Sequence, residues 1–492
     1  MRRREVLVAI DQGSGSSRVV AFDRAGRILA SSRRSLASRT PHPGWVEHDP
    51  LALWRGVKAA LTEVLSALGR NPVAVGLATQ RSTVLIWERA TGRPLSPAIS
   101  WQDRRAADLC AAWSARAEDI RQATGLMLSP SYAAPKLRWL LDHLPGSTRR
   151  AEQGELLCGT INTFLIWHLS GGLRHVTDHT QAARMLLMNL ATLDWDRRLC
   201  EEFGIPLAML PTILPTVADY GTISLGSRTA PLLASIGDQQ AAAIGQERSH
   251  PGDMCLHYGT GAFALLHTGP RIVRSPGLLT SLGWSTAVAR SYLLEGGVNA
   301  VGSGLAWIQR HWRVPRDLAV LDQLAQTSTA PVTFLPALAG LAAPDWDPMA
   351  GGIVGGLTLA TDPRDIVRGF LEGTAYLVAR IVETMPKADG VLRASGGLAS
   401  LDVLMQSQAD LLGRPIYRTK ERETSAWGAA LLAGVGAGLW PTPGDVNRRN
   451  AYDRRFLPQG NASHWTRKRW EWDSLIQAAR GLGSYTGVNH SS

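Results

Sequence analysis

Val6-Leu7-Val8-Ala9-Ile10-Asp11-Gln12-Gly13-Ser14-Gly15-Ser16-Ser17-Arg18 is the stretch on which the fold turns. Val6 to Ile10 is an unbroken β-type run, and Asp11 to Ser17 supplies the glycine and serine of a tight turn. A second β-type run, Arg18 to Phe22, follows. After Asp23-Arg24-Ala25-Gly26-Arg27, a third short strand is expected at Ile28 to Ala30. A carboxylate that closes a buried strand costs free energy unless a cation or hydrogen bonds meet it. Turn glycines let successive backbone N–H groups converge on an anion. The combination suits a magnesium ion and a phosphate, although taken alone it also fits an ordinary hairpin with a polar tip.

The unit recurs downstream. Asp253 to Tyr258 is strand-like, Gly259-Thr260-Gly261 is the turn, and Ala262 to His267 resumes the strand. Between the two units lie helical stretches at Leu51 to Leu68 and Lys136 to His143, with a strand at Val73 to Ala78. Beyond the second come a helix around Asp365 to Thr384 and a strand at Val391 to Ala394. The glycine turn Ser395-Gly396-Gly397 then leads into a helix from about Leu401. Strands alternating with helices predict an α/β architecture, and the repeated hairpin predicts two domains of related design. A length of 492 residues suits two cores, and the polar, turn-forming Gln246 to Gly252 divides 1–248 from 249–492.

Apolar residues make up 45% and charged residues 19%, the balance of a globular chain. The net charge of +11 points toward nucleic acid, but lysine occurs only at 58, 136, 387, 420 and 468. The excess is scattered arginine with no basic block, so no nucleic-acid partner is expected. Cys110, Cys158, Cys200 and Cys255 form neither a CxxC pair nor a cluster with histidines, which fits a reducing compartment without zinc or disulfides. Val6 to Ile10 is too short for a secretory apolar core. No stretch approaches the roughly 18 apolar residues of a spanning helix. Gly428 to Trp440 reads as a packed helix, and a cytoplasmic protein without membrane insertion is expected.

One more carboxylate stands out. Gly237-Asp238-Gln239-Gln240 follows the apolar Leu232 to Ile236. An aspartate facing a cleft between domains can accept the proton of a substrate hydroxyl as phosphoryl transfer begins; the same residue would equally serve as a helix N-cap. His42, His48, His175, His179 and His257 lack ligand spacing and read as structural or surface groups. The tryptophans at 45, 195 and 346 read as packing anchors in turns.

The segment Asp11 to Arg18 resembles the first phosphate-binding hairpin of the FGGY carbohydrate kinases, in the actin, Hsp70 and hexokinase superfamily. Pro43-Gly44-Trp45-Val46-Glu47-His48-Asp49-Pro50, Thr79-Gln80-Arg81, Trp101-Gln102-Asp103-Arg104-Arg105 and Gly237-Asp238-Gln239-Gln240 resemble motifs of its glycerol kinase branch. Tyr258-Gly259-Thr260-Gly261, Ala343-Pro344-Asp345-Trp346-Asp347-Pro348 and Gly396-Gly397 continue in family order, and the likeness covers roughly residues 5 to 472. It implies two ribonuclease-H-like α/β domains with the active site in the cleft between them. The implied reaction is ATP-dependent phosphorylation of a terminal hydroxyl of a small polyol, glycerol to glycerol 3-phosphate first, with another polyol, ketose or sugar as the alternative acceptor. By position, Asp11 would hold Mg²⁺, while Gly13, Ser14, Gly15, Ser16 and Arg18 face the phosphates. Gly259 and Thr260 would lie at the γ-phosphate, and Gly302, Gly396 and Gly397 would line the nucleotide. Asp238 would be the base, with Arg81, Trp101, Asp238, Gln239 and Phe263 on the acceptor. A homodimer or homotetramer would suit the family.

The likeness breaks at particular positions. Glycerol kinases carry a glutamate where this chain has Ser82, and their acceptor tyrosine aligns with Ser131, next to Tyr132. A site built to hydrogen-bond particular hydroxyls discriminates strongly, so these changes bear on acceptor choice. On the nucleotide side, Ala306 replaces a glutamine and Ser395 an aspartate. The altered acceptor residues also raise a reading of another class, a nucleotide-binding regulator with little catalysis. Asp11, Thr260 and Asp238 argue against it, because a regulator needs no base.

Overall fold

The computed structural model describes residues 5–225, 228–246, 250–329, 331–419, 423–445, 452–460 and 462–486. Glu247 to Ser249 of the expected junction lie outside them, as does the basic start Met1 to Arg4. The first hairpin has longer strands than the sequence suggests. Val6–Gln12 pairs antiparallel with Ser16–Asp23, so Asp11 and Gln12 belong to the strand and only Gly13 to Gly15 turn. Asp11 stands opposite Arg18 in this register. The third strand runs Ile28–Ser35, past the expected end at Ala30. It lies at the edge of its sheet, where one face meets solvent and a serine- and arginine-rich sequence is tolerated.

The first sheet has six strands in the order Thr222–Leu225, Arg228–Gly237, Ala74–Thr79, Val6–Gln12, Ser16–Asp23 and Ile28–Ser35. Its three central strands run parallel. Ala74–Thr79 is buried throughout, as expected of a parallel strand covered on both faces. The second sheet has seven strands, in the order Leu279–Ser285, Arg290–Val298, Ala262–Gly269, Met254–Tyr258, Leu392–Ser395, Ile416–Thr419 and Tyr452–Phe456. Met254–Tyr258 repeats the pattern of Val6–Gln12, antiparallel to the next strand in sequence and parallel to a distant one.

Helix Pro50–Leu68 is delimited by local chemistry. The Asp49 carboxylate accepts from the amides of Leu51 and Ala52, Pro50 sits in the first turn, and left-handed Gly69 ends it. Leu53, Val57, Leu61 and Val64 bury its apolar face against one side of the first sheet. Asp238–Gly245 and Thr424–Gly436 cover the other side. The latter is the packed helix expected over 428–440, shifted toward the N-terminus. A Cβ at Gly428 would lie 1.9 Å from the Ala241 carbonyl oxygen, and one at Gly245 would lie 1.9 Å from that of Thr424. The two helices therefore touch backbone to backbone.

Helix Asp238–Gly245 belongs to both domains. Ala241 and Ile244 join the core of the first sheet, while Ala243 packs with Cys255, Leu265 and Leu293 of the second. The far side of the second sheet carries Pro363–Thr384 and Asp402–Leu412. The helix expected from Leu401 begins at Asp402, after a single 3₁₀ turn at Gly397–Ser400, so the paired glycines do not open an α-helix. Cys110, Cys158, Cys200 and Cys255 are all buried, and none forms a disulfide. Among the described residues, no helix is long and apolar enough to cross a membrane.

Candidate active site

Strand Arg228–Gly237 turns directly into helix Asp238–Gly245, which places Asp238 in the first turn with Gly237 as N-cap. The capping role open to Asp238 on sequence is thus not taken. The Gly237 amide donates to Thr180 Oγ1 at 2.8 Å. Thr180 is bound to the buried Asp178 carboxylate, which also accepts from Asn162 and Ser235 at 3.2 Å each. This network pins the strand end that aims Asp238. Burial raises the Asp238 pKa, opposed by the Arg81 guanidinium and the Gln239 amide. Arg81 Nε lies 3.8 Å from Oδ1.

Arg81 also reaches Gln240 Oε1 at 3.3 Å and Glu295 Oε2 at 3.4 Å, and it pairs with Gln239. Arg184 pairs with Glu295 and hydrogen-bonds Tyr132; burial, with Arg81 beside it, lowers its pKa to about 9. Two buried guanidinium groups thus flank one carboxylate next to Asp238. Sequence reasoning missed Arg184 and Glu295. A carboxylate inside the apolar strand Tyr292-Leu293-Leu294-Glu295 could have marked the latter; no local pattern marks Arg184. Tyr132 is buried beside Arg184, whereas the Ser131 carbonyl accepts from Lys136. Ser82 is buried with φ of +60°, and its hydroxyl donates to the Arg184 carbonyl at 3.3 Å. A left-handed backbone at a non-glycine residue costs about 1–3 kcal/mol and turns up where a site over-determines it.

Trp101, Asp238, Gln239, Gly259, Thr260 and Phe263 line a common cavity of about 170 Å³. Trp101 Nε1 donates to Ser14 Oγ at 3.0 Å, and Ser14 donates to Gln80 Oε1 at 3.2 Å, so the first hairpin and the Trp101 wall of the cavity are physically joined. His257, expected to be structural or on the surface, lines this cavity too. Its Nδ1 lies 3.1 Å from Ser395 Oγ, which accepts from Gln246 Nε2 at 2.8 Å. The reason lies in register: His257 and Ser395 are paired residues of parallel neighbouring strands.

At the first hairpin, burial raises the Asp11 pKa to about 7, helped by the negative charges of Asp238 and Glu423 and opposed by Arg18. Arg18 is ion-paired with Glu423. The glycines here are of two kinds. A Cβ at Gly302 would lie 2.6 Å from the Gly259 carbonyl oxygen, and one at Gly396, whose φ is +95°, would lie 2.4 Å from that of Tyr258. The fold itself needs these two. The Gly302 amide donates to the carbonyls of Gly259 and Thr260, fixing the turn that presents exposed Thr260. Gly13 has no protein atom nearer than 3.8 Å to its absent Cβ, and Gly15 and Gly397 have none within 4 Å. The room above these three is open, which suits a cradle for a bound group.

The profile of the FGGY family of carbohydrate kinases matches its N-terminal domain to residues 6–245 and its C-terminal domain to residues 254–437. The chain belongs to the FGGY family of carbohydrate kinases. This FGGY kinase is 42% identical over 488 residues to the glycerol kinase of Thermus brockianus, a match spanning 96% of this chain and 98% of that one. It is 41% identical over 490 residues to the glycerol kinase of Cereibacter sphaeroides strain KD131, spanning 97% and 99%. In three dimensions it is similar to the Plasmodium falciparum glycerol kinase crystallised with ADP, with a TM-score of 0.90 and 30% identity over 97% of this chain and 98% of that one. The gluconate kinase of Lactobacillus acidophilus shares the fold, with a TM-score of 0.85 at 22% identity over 99% of each chain. The expected pair of α/β domains in the actin, Hsp70 and hexokinase superfamily is thus the fold of this FGGY kinase.

Proposed function

We propose that this kinase transfers the terminal phosphoryl group of ATP to a terminal hydroxyl of a small polyol, with glycerol the first acceptor. The observation that carries the reading is Asp238. It opens the helix shared by both sheets and lines one cavity together with Trp101, Phe263 and the Gly259-Thr260-Gly261 turn. A carboxylate there takes the proton of the attacking hydroxyl. Arg81, fixed by Glu295 and Gln240, orients the acceptor beside it. Curated glycerol kinases at about 40% identity over nearly the whole chain support glycerol over other polyols.

The open room over Gly13 and Gly15 and the part-buried Asp11 carboxylate fit a phosphate with its metal. Asp11 would hold Mg²⁺, since one carboxylate suffices when phosphate oxygens and water complete the shell. That ion would neutralise charge on the transferred group. Backbone from Gly13 to Ser16 and the side chain of Arg18 face the phosphates in this reading, and Gly302, Gly396 and Gly397 border the nucleotide. The protein works in the cytoplasm.

ADP release from ATP·Mg²⁺ across glycerol, erythritol, ribitol, xylitol, dihydroxyacetone, xylulose, ribulose and gluconate tests the proposal. Glycerol should give the highest turnover, and Asp238→Asn should lower it by about 100-fold or more with ATP affinity kept. Near-normal turnover by Asp238→Asn would overturn the base assignment. Preference for another compound would make Ser82 and Ser131 its determinants, and silence across the panel with ATP still bound would favour the regulator.

A further inference from the structure

We propose that Lys136 is the positioning residue of the acceptor site, an ammonium clamp that gathers the three chain segments carrying the acceptor contacts. The inference rests on the acceptor assignment above and extends it to a side chain that reaches no reactant itself. Lys136 lies in the first turn of helix Ala133–His143 and is completely buried. Its Nζ donates to the carbonyl oxygens of Ser82 at 2.7 Å, Ser131 at 2.8 Å and Ser100 at 3.0 Å. In its charged form the ammonium has three donors and no acceptor, and the three carbonyls take all of them.

The identity of the three partners gives the clamp its meaning. Each carbonyl belongs to the residue next to an acceptor-side group: Ser82 follows Arg81, Ser100 precedes Trp101, and Ser131 precedes Tyr132. The three segments come from separate parts of the chain and meet at this one nitrogen. Ser82 is the residue held in the left-handed region, and the bond from Lys136 grips its carbonyl. Apolar side chains could fill the same volume, but the carbonyls of Ser82 and Ser131 would lose this donor and that of Ser100 would keep only the Asp103 amide. Burial lowers the pKa of the ammonium to about 7, and the nearby Asp103 carboxylate works against that loss of charge. Asp103 is itself anchored by Arg105, whose guanidinium lies over the Trp45 ring.

Lys136→Met and Lys136→Gln in the full-length protein test the clamp, with ADP release measured against glycerol at saturating ATP and against ATP at saturating glycerol. Misplacing a positioned group by about 1 Å costs on the order of 100-fold. Lys136→Met should therefore raise the KM for glycerol by about 10- to 100-fold with the KM for ATP within about twofold of wild type. Lys136→Gln, which keeps two donors, should fall between, and it carries the test if the methionine variant does not fold. A merely structural lysine would lower the melting temperature and the active fraction and leave both KM values alone; that result, or equal rises in both, overturns the clamp. If wild-type protein ignores glycerol but turns over another compound of the panel, the glycerol reading has failed. The same two variants are then run with that compound.

Discussion

At Asp238, the proposed base, the carboxylate that must be charged in order to work is one whose charge burial disfavours. Asp238 has its pKa raised above the ordinary 3.8 by desolvation. Between these two values the folded chain keeps a proton that the unfolded chain has released, so this group's contribution to stability falls as pH rises through the window. Turnover runs the other way, because only the ionised form accepts a proton, and its acid limb is shifted upward from that of a free aspartate. Asp238→Asn should therefore melt higher than wild type near neutrality, with the gap closing as pH falls toward the ordinary carboxylate range; scanning calorimetry without ATP checks it. A gap that is absent or reversed would mean that the Arg81 pairing outweighs desolvation. Residues such as Asp11, Thr260 and Asp238 were legible because strand, carboxylate and glycine turn are contiguous. Arg184 and Glu295 were not, since each gains its role from a partner far away in sequence. The hydrogen-bonded role expected of His257 is met by Ser395 on a neighbouring strand, but its place beside the cavity had no local signal.

Among the elements, the contact between helices Asp238–Gly245 and Thr424–Gly436 sets the position of Asp238, the proposed base. The Ser425 hydroxyl donates to the Asp238 carbonyl at 3.2 Å, and the reciprocal glycines remove all side-chain thickness between the axes. Gly428→Ala inserts a methyl where the Ala241 carbonyl oxygen already stands. It should cost about 1–3 kcal/mol in urea denaturation and lower turnover as the Asp238 helix shifts. Gly397→Ala is the contrasting control: with no neighbour within 4 Å, it should leave the unfolding midpoint unchanged and raise the KM for ATP. Unchanged stability in Gly428→Ala would show that the helices can separate freely. Composition revealed a small-residue helix but not its partner, because glycine and alanine look alike whether the neighbour is a sheet or another backbone. The full reach of Ile28–Ser35 was hidden by its edge position, where the polar residues lose their alternation with apolar ones.

On the scale of the whole molecule, the two domains are tied together by charge at the proposed acceptor site. Arg81 and Arg184 come from the first domain and Glu295 from the second, and all three are buried or nearly so. Glu295→Gln keeps the shape but leaves two guanidinium groups without their carboxylate. Breaking such a pair from one side should cost about 3–5 kcal/mol. Adding Arg184→Met should recover part of the loss, since one unpaired charge goes with it; thermal unfolding of the two variants checks the order, and a double variant weaker than the single would refute it. The same interlocking has a consequence in time. The last strand of the first sheet ends at Gly237, yet the helix that closes that sheet's inner face begins only at Thr424. At ribosomal speeds of about 5–20 residues per second, roughly 190 residues of waiting amount to about 10–40 s. For that interval Leu7, Ala9, Ala78 and Ile236 have only the short helix Asp238–Gly245 to pack against on that side of the sheet. Synthesis of this enzyme thus passes through a sticky half-built stage, and its yield in a cell should depend on how well chaperones guard that window.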